Sequence, residues 1–384
     1  MNFEELFIRF KETNLHGRYI KLSDIEPLLL KLNTNNKVTV IGESVLGKPI
    51  YKYVIGTGKT KLLIWSQMHG NESTTTKALF DLFNYLNSGS ENVNSIVTNL
   101  TLIVVPMLNP DGALLYTREN ANKIDLNRDF KDFSQPESLL LKKLFVDTAP
   151  DYCFNMHDQR TIFGIESSVK PATVSFLAPS YDQERQINET RGRAMSLIGE
   201  MNKVLKKLIP GQIGRFDDSF NINCAGDCFQ FLNSPTVLFE AGHYPLDYDR
   251  EIARKYIFIA LITALKSLGS NDIIEQNTDE YLNIPQNKVM FCDFLYKNVK
   301  INYDDNEIIT NFAAQYKEEL IDDKLVFNAY ISEIGDLNNY FGHFEFDAKE
   351  LPYSDSSDNK PQLNQKADFC LGKNIKIING LIKM

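Results

Sequence analysis

Two spacings of apolar residues take turns along the first two thirds of this chain. Lys61–Ser66 is continuously apolar, as in a strand buried on both faces. The stretch Thr74–Leu86 instead places Ala78, Leu79, Leu82, Phe83 and Leu86 at helical intervals. Further strands are expected at Lys37–Ile41, Ile50–Ile55, Thr101–Val105, Asp151–Met156, Val174–Ala178 and Thr236–Phe239. Helices are expected at Asp182–Leu208, at Asp247–Leu268 and from Ser134-x-x-Glu137, which reads as a capping box, to about Phe145. Residues 1–36 read as helix and loop, with Asp24 capping a Leu-rich segment that ends at Leu32. Gly47-Lys48-Pro49 and Asn109-Pro110-Asp111-Gly112 read as tight turns, and Gly56–Thr60 as a hairpin turn rather than a phosphate loop. Strands alternating with helices in this way imply an α/β fold, a mixed but largely parallel sheet flanked by helices.

The pattern changes near Gly269-Ser270-Asn271-Asp272, which is linker-like. Beyond it lie strand-like runs such as Lys324–Ile331 and Tyr340–Phe346, and a polar stretch, 349–366, expected to be an exposed loop. The expected division is an N-terminal helical segment (1–36), a catalytic domain (37–270) and a small β-rich C-terminal domain (271–384).

Composition removes some classes of function. A net charge of −9 without any basic block argues against a nucleic-acid partner. No apolar run approaches the roughly 18 residues of a membrane span. The acidic start Met1–Glu5 lacks the features of a secretory leader, and five cysteines are an odd and sparse set. A cytoplasmic protein without a disulfide framework is therefore expected. Composition gives no oligomeric state.

In open α/β sheets, ligands gather beyond the carboxyl ends of strands. His69, Glu72, His157 and Glu240 all stand where expected strands end. An imidazole followed three residues later by a carboxylate offers two zinc-competent groups on one turn, and His157 is the natural third. Taken singly, each histidine has a bland reading as a core or surface group; two at equivalent strand ends favour ligation. Glu240 reads either as a structural ion-pair partner or as a general base facing a metal-bound water. Arg118 and Arg128 flank an Asn-rich loop. Acyl transfer needs a cation at the developing oxyanion, and an exopeptidase needs another for a terminal carboxylate, a task that suits Arg128 with Asn127. Tyr244, close to Glu240, is a candidate pocket residue. Cys224-x-x-x-Cys228 reads as two small buried thiols.

In order along the chain, His69-Gly70-Asn71-Glu72, Asn109-Pro110-Asp111-Gly112, Arg118, Asp125-Leu126-Asn127-Arg128, His157 and Glu240 resemble the zinc carboxypeptidase family. The resemblance covers roughly residues 38–268. It implies one Zn²⁺ per chain on His69, Glu72 and His157, with Glu240 as general base and acid. It also implies that Arg118 polarises the scissile carbonyl, Asn127 and Arg128 grip a free carboxylate, and Asp125 hydrogen-bonds the first histidine. The expected substrate is a peptide, or alternatively an acylated amino acid or cell-wall peptide, with a free carboxylate. A zinc-retaining binding module without catalysis is the rival from another class. Two positions depart from the family. Residues 182–243 hold no tyrosine where the family has a substrate-capping one, leaving Phe220 or Tyr244 as substitutes, and Asp129 replaces a common asparagine.

Overall fold

The computed structural model describes residues 2–33, 37–270, 277–303, 305–356 and 358–383. These residues divide into two compact units, one made of 1–159 with 172–287, the other of 160–171 with 288–384. The expected linker residues Asn271 and Asp272 lie outside the described residues.

In the first unit, helices α1 (Phe3–Phe10) and α2 (Leu22–Leu32) precede strands β1 (Val38–Glu43), β2 (Pro49–Ile55) and β3 (Thr60–Ser66). Then come α3 (Thr74–Leu86), α4 (Glu91–Asn99), β4 (Leu100–Val105), α5 (Pro110–Leu115), α6 (Pro136–Thr148) and β5 (Tyr152–Asp158). The chain passes through β6 (Phe163–Ile165) and β7 (Lys170–Pro171), which belong to the second unit, and returns as β8 (Val174–Leu177). The first unit ends with α7 (Glu189–Leu208), β9 (Ile213–Arg215), α8 (Ala225–Phe231), β10 (Thr236–Ala241), α9 (Glu251–Gly269) and α10 (Asp279–Leu282).

Eight strands form one mixed sheet in the order β1-β2-β4-β3-β5-β10-β8-β9. Its centre, β4-β3-β5-β10, is parallel. Because side chains alternate across a strand, one face carries Leu62, Ile64, Phe154, Met156, Val237 and Phe239 into a core shared with α3, α7 and α9. The opposite face carries Leu63, Trp65 and Cys153 into a second core with Phe229 of α8 and Leu141 and Leu144 of α6. Both faces are covered, which explains the unbroken apolar run of β3. A buried ion pair ties α9 to α3: the Arg254 guanidinium donates to both carboxylate oxygens of Asp81, at 2.7 and 2.6 Å.

The second unit is β-rich. It adds β11 (Lys288–Val289), β12 (Phe291–Ile301), β13 (Ile308–Ile321), β14 (Lys324–Gly335), β15 (Phe341–Asp347), β16 (Tyr353–Ser354), β17 (Phe369–Leu371), β18 (Ile375–Ile378) and β19 (Leu381–Lys383). Sheets β14-β13-β12-β15 and β16-β17-β18-β19 share an aromatic core that includes Phe294, Tyr296, Phe312, Tyr353 and Phe369. A small third sheet, β11-β6-β7, uses the excursion from the first unit, which no sequence signal announced.

Several local expectations are corrected. Asn109–Gly112 starts a helix rather than a turn: Asn109 Oδ1 accepts the Gly112 N–H at 2.8 Å and Pro110 takes the first helical position. Ser134 caps no helix, because its N–H and hydroxyl donate to Asp129. Glu137, the other half of the expected box, instead accepts from Val45 N–H and Asn120 Nδ2. Asp24 sits inside the first turn of α2, accepting the Lys21 N–H, rather than at its cap. The helices expected from Asp182 and Asp247 start later, at Glu189 and Glu251. Asn188 caps the first, and the Asp247 carboxylate accepts three N–H groups at the start of the second. Gly56–Thr60 is no hairpin turn, since β4 lies between β2 and β3.

Gly56 has φ +89°, and a Cβ there would lie 2.1 Å from the Leu100 carbonyl oxygen. Gly56→Ala is therefore expected to destabilise the fold by at least about 2 kcal/mol. Thermal unfolding measures this, and an unchanged midpoint would show that the crossover from β2 to β3 tolerates a side chain.

Candidate functional site

Four of the residues singled out in the sequence come together at the carboxyl ends of β3, β5 and β10. His69 follows β3 on a turn packed so tightly against α5 that a Cβ on Gly70 would lie 2.0 Å from the Gly112 carbonyl carbon. The Glu72 carboxylate bridges the two histidines, Oε1 lying 2.8 Å from His69 Nδ1 and Oε2 2.8 Å from His157 Nδ1. The Asp158 N–H also donates to Oε2 at 3.1 Å. Glu240 stands on β10 in register with His157 on β5, so both side chains leave the same face of the sheet.

The donor set fits a zinc ion. One ligand atom from each of His69, Glu72 and His157 lies within 4.8 Å of the others, and all three residues are buried. The two Nδ1 atoms are only 3.1 Å apart. His69 Nε2 is hydrogen-bonded at 3.0 Å to Asp125 Oδ1, which places its proton there and leaves the Nδ1 lone pair facing inward. His157 Nδ1 faces the same carboxylate, so two imidazole nitrogens and a carboxylate converge as a set of zinc ligands would.

Electrostatics follow the same geometry. Burial lowers the proton affinity of both imidazoles; for His157 it wins, whereas at His69 the Glu72 charge and the Asp125 and Glu72 hydrogen bonds reverse it. Burial raises Glu72, but the two histidines outweigh it and hold the carboxyl well below its usual range. Glu240 shifts the other way, well above that range, through burial and the neighbouring charges of Glu72 and Asp158. Its Oε2 is buried with no hydrogen-bond partner among the described residues.

The loop 117–130 brings the other expected residues to this end of the sheet. Arg118, 45% exposed, places Nη1 3.1 Å from Glu72 Oε1 and Nε 3.0 Å from Asp125 Oδ2. Asp125 thereby links His69 to Arg118, and despite its burial these partners hold its carboxyl far below the usual range. Asn127 Oδ1 accepts the Ala225 N–H at 3.0 Å and so fastens the loop to α8. Arg128 is exposed, its Nη1 donating to the Asn127 carbonyl at 2.9 Å.

Other expected residues are engaged elsewhere. Asp129 is committed to the loop, accepting from Ser134 and the Gln135 N–H. Tyr244 packs its ring 6.3 Å from Tyr256, at the edge of the core on the opposite face from Cys153 and Trp65.

Three further features carried no periodic or motif signal. The Asp158 carboxylate accepts the Thr74 and Thr75 N–H groups at the start of α3. Buried Arg250 donates to the carbonyls of Ala241 and Gln159, behind Glu240. One pleat below His157 and Glu240, Asn155 pairs with Leu238, which also pairs with Leu177. Leu238 and Leu177 are part-exposed although they lie within the sheet, and Asn155 Oδ1 has no partner among the described residues.

Residues 28–145 match the family model for zinc carboxypeptidase. Carboxypeptidase SOL1 of Arabidopsis thaliana is 34% identical over 101 residues, 24% of this chain and 21% of that protein. Probable carboxypeptidase 2 of Arthroderma benhamiae is 28% identical over 100 residues, 26% of this chain and 19% of that protein. The chain thus spans about a fifth of the length of these curated relatives. A metallo-carboxypeptidase structure from Burkholderia cenocepacia superposes with a TM-score of 0.51 at 16% identity, over 65% of this chain and 70% of that one. Over residues 28–145 the sequence is thus similar to the zinc carboxypeptidase family, and the fold is similar to that of a solved metallo-carboxypeptidase.

Asp227, on α8, is a buried carboxylate pushed up to about 6 by desolvation, which its hydrogen bond from the Asn221 N–H only partly offsets. The folded chain holds this proton more tightly than the unfolded chain, so Asp227 costs stability increasingly as pH rises from about 4 to about 6. Asp227→Asn keeps the acceptor and removes the charge. It is expected to stabilise the protein at pH 7 by up to about 3 kcal/mol and to have little effect at pH 4. Denaturant titrations at the two pH values test this; an equal effect at both would contradict it.

Proposed function

We propose that this chain is a zinc-dependent carboxypeptidase that hydrolyses the peptide bond next to a free terminal carboxylate. The observation carrying this reading is the convergence of His69 Nδ1, His157 Nδ1 and the Glu72 carboxylate beside the unpartnered carboxylate oxygen of Glu240. When bound there, zinc polarises a carbonyl and brings the pKa of a coordinated water to about 7. His69, Glu72 and His157 hold the ion, and Asp125 fixes the His69 tautomer. Glu240 takes the attacking water's proton and returns it to the leaving amine. Burial and the neighbouring Glu72 and Asp158 charges raise its proton affinity above that of an ordinary carboxylate, which makes it the better base for that water.

Two cations complete the assignment. Arg118, with Nη1 on Glu72 and Nε on Asp125, is held where it can donate to an oxyanion forming beside the metal ligands. Arg128 is exposed and spends one donor on a neighbouring carbonyl, leaving a guanidinium fork for a substrate carboxylate, with the Asn127 amide next to it. The names of the curated relatives agree with this substrate class.

The test compares a peptide with its C-terminal amide. The unmodified protein should prefer the free acid, and Arg128→Ala should reduce kcat/KM on the acid by about 2–5 kcal/mol while changing the amide little. Equal cleavage of acid and amide by the unmodified protein would sink the exopeptidase reading.

A further inference from the structure

We propose that the segment Glu12–Ile20 is a strap that positions the metal-ligand turn, so that Gln67, Ser73 and the strap together govern how firmly the site retains its ion. This rests on the zinc reading above for the ion's identity; the strap's hold on the turn is visible without it.

The turn that presents His69 and Glu72 is stitched to the strap on both sides. Before His69, Gln67 is fully buried with left-handed φ of 49°. Its Nε2 donates to the Ile20 and Gly70 carbonyls, each at 2.8 Å, and its Oε1 accepts from Thr76 Oγ1 at 3.0 Å. After Glu72, the buried Ser73 hydroxyl donates to the Arg18 carbonyl at 2.5 Å. A non-glycine residue with positive φ persists where surrounding bonds over-determine it, and here they come from the strap and the turn itself.

The strap is anchored at its other end as well. Arg254 Nη1 donates to the Leu15 carbonyl at 2.6 Å and Nη2 to the Glu12 carbonyl at 2.8 Å. Asp81, which pairs with that guanidinium, also accepts the Glu12 N–H at 2.7 Å. Between the anchors Leu15 and Ile20 are buried in the core and Gly17, at φ +72°, supplies the bend. Tyr19 extends the clamp to the other half of the site. Its hydroxyl donates to the Leu114 carbonyl at 2.7 Å and its ring meets Tyr116 edge-on. Two residues before Arg118, that chain segment turns back so that the Thr117 carbonyl accepts the Asn71 N–H at 3.2 Å. The strap's two ligand-competent side chains, Glu12 and His16, are not among the clustered ligands His69, Glu72 and His157, so the strap's influence passes through the orientation of His69 and Glu72. Partners of this kind typically change metal affinity about 10–100-fold when removed.

The experiment uses the zinc-loaded full chain and three variants. Ser73→Ala removes the bond to Arg18, Ser73→Thr retains a hydroxyl for it, and Gly17→Val strains the bend at a position where a Cβ meets nothing closer than 3.9 Å. Zinc release to an excess of chelator should be about tenfold faster or more in Ser73→Ala and Gly17→Val, and near native in Ser73→Thr. In the metal-free proteins, amide exchange at residues 67–73 should accelerate in the first two variants while β5 stays protected. Unchanged zinc release together with unchanged exchange at 67–73 would overturn the proposal. A general loss of protection across the sheet, not rescued by Ser73→Thr, would also overturn it, since the effect would then be global stability. If the unmodified protein bound no zinc, that failure would fall on the proposed function, and exchange at 67–73 alone would decide the strap.

Discussion

Two imidazole nitrogens and one carboxylate are forced together at adjacent strand ends, and much of the first unit serves that convergence. Bringing two Nδ1 atoms within 3.1 Å is repulsive without a cation or a shared proton, so the surrounding structure must hold them there. Parallel strands β3 and β5 do this by ending side by side, their central residues fixed by apolar cores on both faces. The Asp125 bond at His69 sets the remaining degree of freedom, the ring's tautomer.

The charges around this centre are graded rather than uniform. Glu72 sits among imidazoles and is easily ionised, whereas Glu240, on the next strand in register with His157, is desolvated and its Oε2 has no hydrogen-bond partner among the described residues. Two carboxylates with opposed environments on one face are what an assignment of ligand to one and proton carrier to the other requires. Arg250, buried behind β10, keeps this concentration of negative charge tolerable, as its charge lowers the proton affinity of both Glu240 and Asp158.

Much of this was legible in the sequence because the features involved are local. The apolar run of β3 reflects burial on both faces and the spacing of Thr74–Leu86 burial that repeats about every four residues, and both elements lie where those patterns put them. His69, Glu72 and His157 were accessible for the same reason: a polar residue ending an apolar strand stands out. Features set by distant partners were hidden. Ser134 and Glu137 spell a capping box, yet Asp129 and Val45 claim them through loop contacts. The excursion through β6 and β7 has strands too short for any periodicity, and β6 pairs with β11, more than a hundred residues away in sequence. Tyr244 drew attention by its nearness to Glu240 in sequence, but it lies beyond the end of β10 and its ring packs toward Tyr256.

The most direct measurement is the metal content of the purified protein, by mass spectrometry, set beside that of His157→Ala and Glu240→Gln. The account predicts close to one zinc per chain in the unmodified protein and in Glu240→Gln, with most of it lost from His157→Ala although that variant remains folded. Full zinc occupancy in His157→Ala would contradict the assignment of the centre.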